Sequence, residues 1–194
     1  MSDQSPKDNR LRYAYKASLI LPAHQFELDH EELHWRMGRR SGVWPLNSIV
    51  QVRLSYRPVS MQARRFRADI RNDQGRQLFI FSTSWQTVAL MEPQDTGYRA
   101  FILGLHSRLL AIGSKAEFAA GLKPWLYQAA MAILALVGLT IAGMFVRALW
   151  TGLWVAALFV VAFAALFVWQ IGGFMRRNRP RTYAPGNVPD DLVP

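Results

Sequence analysis

The run His30-Glu31-Glu32-Leu33-His34 spells the H-E-x-x-H pattern of zinc peptidases. In that chemistry two imidazoles one helical turn apart bind the metal and the glutamate acts as general base. The pattern works only on a helix. Here Leu33, Trp35 and Met37 alternate with His34 and Arg36, the period of a half-buried strand, and Gly38 stops the segment. On a strand His30 and His34 point the same way but about 13 Å apart, at ~3.3 Å per residue, too far to share an ion. No second motif supplies a third ligand, and His24 precedes the hairpin. The stretch is expected to be a polar β-turn, and no catalytic, metal-binding or cofactor-binding residue is assigned.

The second set of residues able to do chemistry is arginine. Arg65, Arg67 and Arg71 share one face of a strand whose other face is Phe66, Ala68 and Ile70. Arg39 and Arg40 sit in a turn, and Arg53, Arg57 and Arg64 are close in sequence. Planar guanidinium groups suit carboxylate and phosphate. Arg39, Arg40, Arg65, Arg67 and Arg71 are therefore the candidate contacts to an acidic partner or to anionic lipid head groups. Asp69 and neighbouring carboxylates pair part of that charge. Ser60, Ser82, Thr83 and Ser84 have no His–Asp arrangement beside them to activate a nucleophile, and Ser82 to Ser84 are expected to cap strand ends or turns. The chain has no cysteine, which excludes disulfides, thiol catalysis and thiolate metal sites.

What must position these residues is organised around an apolar run from Pro124 to Met175, broken by Arg147. The 23 residues between Lys123 and Arg147, and the 28 between Arg147 and Arg176, carry no formal charge. About 20 apolar residues span a bilayer core as a helix, so the run reads as a transmembrane helical hairpin. Its helices are expected at 124–146 and 153–175, joined by a periplasmic turn at 147–152. Arg176, Arg177, Arg179 and Arg181 follow the second helix and Lys115 and Lys123 precede the first, while the turn holds Arg147 alone. The positive-inside bias then places both termini in the cytoplasm. Trp125, Tyr127, Trp150, Trp154 and Trp169, with Arg176, Arg177 and Arg179, are the expected interface anchors. No carboxylate or lysine lies in either span, so a proton or ion relay lacks its usual parts. Gly138-x-x-x-Ala142, with Ala157, Ala164 and Ala165, permits close helix contact.

The net charge of +10 divides as 17 Lys/Arg against 11 Asp/Glu in residues 1–122 and 6 against 2 thereafter. A moderately basic domain suits an anionic leaflet, and with no nucleic-acid motif present no nucleic-acid partner is expected. Residues 1–10 read as a disordered lead without the apolar core of a signal peptide. From residue 11 to 81 short alternating segments follow one another, with turns at Asp29–Glu32, Gly38–Gly42, Asn47-Ser48 and Asn72–Gly75. Leu78 to Phe81, continuously apolar, is expected inside a sheet, and Gln86 to Gln94 as a short helix or edge segment. The period then changes. Tyr98, Phe101, Ile102, Leu105, Leu109 and Ile112 describe one helical face, capped by Asp95 or Thr96 and stopped at Gly113. Residues 114–123 read as a juxtamembrane linker with a further helical turn or two, and 176–194 as a basic, proline-rich tail, extended and available for docking.

Strands followed by one amphipathic helix give an α+β domain over 11–113. Phe26-x-Leu28 with Glu32-Leu33-x-Trp35, the turn Gly38-Arg39-Arg40-Ser41-Gly42, and Pro45-Leu46-x-x-Ile49-x-x-Val52 resemble the pleckstrin-homology (PH)-like domains that bacteria fuse to membrane helices. The resemblance implies an antiparallel barrel or sandwich plugged by its C-terminal helix. Lipid-binding PH domains carry a basic cluster between their first two strands. Counted from Gln25, that connection is the acidic Asp29–Glu32, a departure from the family pattern. Arg57–Gln62, Ser82–Trp85, Trp169–Gly172 and Arg176–Pro180 also resemble a family of proteobacterial membrane proteins that carries no established activity. Together these features lead to the expectation of a non-enzymatic inner-membrane protein that joins or assembles a membrane protein complex, with binding of anionic lipid as the alternative.

Overall fold

The computed structural model describes residues 10–58, 64–87 and 90–194. The lead before Arg10, most of the Arg57–Ala63 loop with Ser60, and Val88 lie outside them. The chain divides into two units: one reaches Ala120 and resumes at Arg181–Pro194, the other is Gly121–Pro180.

In the first unit β1 (Leu11–Tyr15), β2 (His24–Leu28), β3 (Glu32–Met37) and β4 (Arg40–Pro45) form an antiparallel meander. The β2–β3 hairpin closes around the acidic turn with Leu28 opposite Leu33. The β3–β4 turn is tighter than expected, because Arg40, Ser41 and Gly42 already pair with β3. A 3-10 turn at Leu46–Ser48 leads into β5 (Ile49–Tyr56), β6 (Phe66–Asn72) and β7 (Gln77–Phe81). Then come a short hairpin of β8 (Thr83–Trp85) and β9 (Met91–Pro93), and helix α1 (Asp95–Ala111). The expected period-two and helical faces meet in one core that includes Phe26, Leu33, Val52, Ile70, Ile80, Phe101 and Leu105. No side chain caps α1, whose N-cap position is Gln94 rather than Asp95 or Thr96.

Two segments depart from the sequence expectation. The linker contains β10 (Glu117–Ala120) instead of a helical turn, and β10 pairs in parallel with β5, Ala120 opposite Leu54. The tail is not open for docking. Its first residues form β11 (Arg181–Thr182) on the free side of β10, giving the order β11-β10-β5-β6-β7. Leu192 and Val193 are buried in the domain core, and Arg99 donates to the Pro194 carbonyl at 2.8 Å and pairs with Asp190 at 3.2 Å. Prolines prevent the tail from forming a helix or long strand, but they leave it able to follow a groove with apolar side chains turned inward.

Neither sheet closes on itself. Between β1 and β7 the seam is made by phenols: Tyr13 donates to the Phe81 carbonyl at 2.6 Å and Tyr15 to the Phe79 carbonyl at 2.7 Å. Burial raises both phenol pKa values, so they remain donors. Replacing either by Phe leaves an edge carbonyl unpaired. Tyr13→Phe and Tyr15→Phe are each expected to cost about 1–2 kcal/mol, read as a lowered denaturant midpoint; unchanged midpoints would exclude a structural role for the seam.

The second unit is a hairpin of α2 (Pro124–Trp150) and α3 (Trp154–Arg177). Both are long and apolar enough to cross a membrane, and almost none of that apolar surface is covered by protein. The first helix runs past Arg147, which the helix dipole favours in a last turn, and Thr151 Oγ1 donates to the Arg147 carbonyl at 2.9 Å. The turn therefore shrinks to Thr151–Leu153, with Gly152 at φ +69°. Close contact lies near that turn, where Ala148 and Ala157 are buried. Gly138, Ala142 and Ala164 instead line an apolar groove of about 550 Å³ between the helices. Trp125, Trp150, Trp154 and Trp169 are all exposed on their helices.

Candidate functional site

The H-E-x-x-H residues occupy a bend and a strand. His30 is exposed, with its backbone N–H donating to Asp29 Oδ1 at 2.7 Å. Glu32 opens β3, Leu33 is fully buried, and His34 Nε2 lies 3.2 Å from Glu32 Oε2. Among the described residues no three His, Asp or Glu side chains are grouped to hold a metal ion.

The arginines are divided between the sheets. Arg39 and Arg40 are exposed at the β3–β4 turn, whereas Arg65, Arg67 and Arg71 belong to the strand end and face of β6. Alternation in β6 buries Phe66, Ala68 and Ile70 and turns Arg67, Asp69 and Arg71 outward, as the sequence pattern requires. The face is built by its cross-strand neighbours. Ser55, Arg67 and Phe81 are in register across β5, β6 and β7, as are Arg53, Asp69 and Phe79.

Arg67 stacks on both phenyl rings, 4.2 Å from the Phe79 centroid and 5.9 Å from that of Phe81, and Arg65 lies 4.8 Å over Phe81. Arg67 forks onto Asp69, with Nη2 donating to Oδ2 at 2.9 Å. Arg57, which closes the end of β5, joins them: its N–H donates to the Arg65 carbonyl at 2.8 Å, and Arg65 Nε donates to the Arg57 carbonyl at 3.2 Å. Burial first, and then the charge of Arg67, hold the Arg57 and Arg65 pKa values below the ordinary range; Asp69 opposes this at Arg57. Both stay cationic at neutral pH. Among the described residues no carboxylate pairs with Arg57 or Arg65, and Arg57 Nε is buried without a hydrogen-bond partner. Three cations thus share one paired carboxylate on an aromatic shelf. Arg71 stands apart, exposed between Gln51 and Gln77. The shelf has fixed charge and stacking rings, so it can hold an anionic group.

Arg57 and the two phenylalanines were not assigned from sequence. Leu78 to Phe81 looks like an interior strand, yet β7 is an edge. Its outward Phe79 and Phe81 are apolar because guanidiniums cover them. The available signal was Phe79 and Phe81 at period two beside Arg65 and Arg67 at the same period.

A second polar constellation fixes the tail. His106, buried on α1, donates from Nδ1 to the Ile102 carbonyl at 2.7 Å, so its Nε2 accepts from the Tyr183 hydroxyl at 2.9 Å. Burial lowers the His106 pKa, against the opposing pull of the Ile102 carbonyl. The unfolded chain therefore takes up the proton more readily. Stability contributed by neutral His106 is complete above about pH 6.5 and is lost as pH falls toward the folded-state pKa. Unfolding free energy should decline below about pH 6.5 by at most ~1.4 kcal/mol per pH unit from this residue, and His106→Phe should flatten that part of the profile. An identical slope in the variant would exclude His106.

Comparison with protein families, curated proteins and solved structures finds no match to this chain.

Proposed function

We propose that this is a non-enzymatic protein of the bacterial inner membrane, crossing it twice with both termini cytoplasmic. Its PH-like domain serves a larger membrane assembly as an accessory subunit or assembly factor. The observation that carries the reading is the uncovered apolar surface of α2 and α3, where Leu139 and Phe159 are each more than two-thirds exposed. Such surface is stable only in lipid or against other membrane helices. A four-stranded meander, a three-stranded meander and a following helix support the PH-like assignment. The arginine shelf supplies a fixed cationic contact surface. Binding of anionic lipid is the second reading, favoured by the unneutralised Arg57 and Arg65.

Purification of the natively expressed, tagged protein in mild detergent, with mass spectrometry of its companions, tests the first reading against the second. A stoichiometric membrane complex supports a subunit or assembly role; a lone chain carrying anionic lipid supports the lipid reading. Orientation has its own test, because the chain has no cysteine. Thr151→Cys should react with a membrane-impermeant maleimide on intact spheroplasts. Reaction only after lysis would reverse the topology.

A further inference from the structure

The arginine shelf holds more positive charge than its own carboxylate answers, and the cations are held in place. Arg57, Arg65 and Arg67 are half-buried. Arg67 and Arg65 lie over Phe79 and Phe81, and Arg65 Nε is tied to the Arg57 carbonyl. Two donors at this end of the face have nothing to donate to. Ser55, 2% exposed and in register with Arg67, keeps its Oγ buried without a hydrogen-bond partner, and Arg57 does the same with Nε. Buried polar groups are nearly always paired, so two orphans beside an excess of cations point to an oxyanion as their natural partner.

Several observations favour a carboxylate. Arg67 already forks onto one, that of Asp69. The charge of Asp69 penalises a multiply charged phosphate brought beside it more than a singly charged carboxylate. Every cation between Lys16 and Lys115 is an arginine. Diffuse attraction to a leaflet uses lysine equally well, whereas bidentate pairing needs the planar fork. Phe79 reaches solvent at 37% exposure beside the Arg67 guanidinium and offers a flat apolar contact next to the charge. Half-buried arginine against an aromatic ring is the make-up of a protein–protein contact. Strand addition is not the route, because the Phe79 and Phe81 carbonyls on the outer edge of β7 already accept from Tyr15 and Tyr13. A partner therefore meets the face through its side chains.

We propose that the shelf seats an aspartate or glutamate side chain of a partner protein, its carboxylate forked on Arg65 and within reach of Arg57 and Ser55. This rests on the reading of the chain as a member of a membrane assembly. It adds the chemistry of the contact: an acidic segment of the companion, docked on the outer face of β5, β6 and β7. Arg71, exposed at the far end of that face, stands outside the contact.

A carbodiimide joins an amine to a carboxylate only when the two touch. Arg65→Lys in the natively expressed full chain is therefore the reporter, and Gln77→Lys, exposed opposite Arg71, its control. The expected result is an amide link from position 65 to an aspartate or glutamate of a second protein, located by mass spectrometry, and none from position 77 to that residue. A link only to Asp69 of the same chain overturns the proposal. In mild detergent Arg65→Glu should lower the companion recovered per chain by about tenfold or more, and Arg71→Glu by less than about twofold. Reversing the charge of the linked carboxylate should restore recovery with Arg65→Glu, which separates a lost contact from a misfolded domain. Recovery unchanged by Arg65→Glu overturns the shelf proposal and leaves the assembly reading standing. Loss of co-purified anionic lipid with the companion retained also overturns it, and assigns the shelf to lipid. An unaltered chain that emerges with no companion protein removes both readings.

Discussion

Ending the chain after Pro180 should unfold the domain that precedes the α2–α3 hairpin. The truncation removes β11, the Tyr183 hydroxyl that holds His106, and the buried Leu192 and Val193. Burying Leu192 and Val193 is worth about 1.5–3 kcal/mol each and the Tyr183 hydrogen bond about 1 kcal/mol, so the loss reaches roughly 4–7 kcal/mol. Small domains are stable by only about 5–15 kcal/mol. Loss of the tail therefore takes most of what holds residues 10–120 together. Leu192→Ala alone should cost about 2–5 kcal/mol. Rapid proteolysis of the truncated chain between Arg10 and Ala120 is the expected readout, with the α2–α3 hairpin fragment surviving. Protection equal to the full chain would mean that the tail rests on a core already complete without it.

The next largest effect is expected at one glycine. Gly121 joins β10 to the segment before α2 at φ +79°, a region costing an ordinary residue about 1–2 kcal/mol. Space is also missing: a Cβ there would lie 2.5 Å from the carbonyl oxygens of both Asn178 and Arg179. Those atoms belong to the backbone just past the end of α3, where the Asn178 carbonyl accepts the Leu122 N–H at 2.9 Å and Asn178 is itself buried. A methyl group cannot be accommodated by turning a flexible side chain, because the obstruction is backbone. Gly121→Ala should cost about 3 kcal/mol or more once strain and the lost hydrogen bond are added. Gly113→Ala is the control, with a similar φ of +63° but open space, and should cost only about 1–2 kcal/mol. Thermal unfolding of the two variants in one detergent compares them directly. Equal shifts would show that the close approach at Gly121 relaxes without penalty.

Local pattern revealed what local physics determines. The β2–β3 hairpin, the two faces of β6 and the buried stripe of α1 were all legible because burial enforces a period. The exceptions have particular causes. Val50 stands at period two with the buried Val52 and Leu54, but a register shift between Ile49 and Gln51 turns it outward, 42% exposed. Ile112 continues the helical spacing yet is exposed, because α1 ends at Ala111 and Gly113 turns the chain. His106 lies on the buried stripe but is polar, so an apolar count skips it. β10 and the tail were missed for a different reason. Their partners are β5 and α1, far away in sequence, and nothing within 117–120 or 181–194 announces a pairing at that separation. At the candidate site the face of β6 was foreseeable. The rings beneath the guanidiniums and the convergence of Arg57 depend on strand order, which alternation does not encode.

The return of the tail has a consequence for how the protein is made. Residues 10–120 leave the ribosome first, yet Tyr183, Leu192 and Val193 complete their core and are translated only after both apolar helices. A core that includes Leu192 and Val193 is not complete before the hairpin has been synthesised, and the nascent chain exposes part of it until then. On the proposed two-pass topology, correct insertion is then a precondition for finishing the fold. On that topology, a chain whose second helix fails to come back across delivers its last residues to the wrong compartment and leaves the first part unsealed, open to the proteases that clear failed products. Helix insertion is on that topology proofread by the remainder of the same polypeptide.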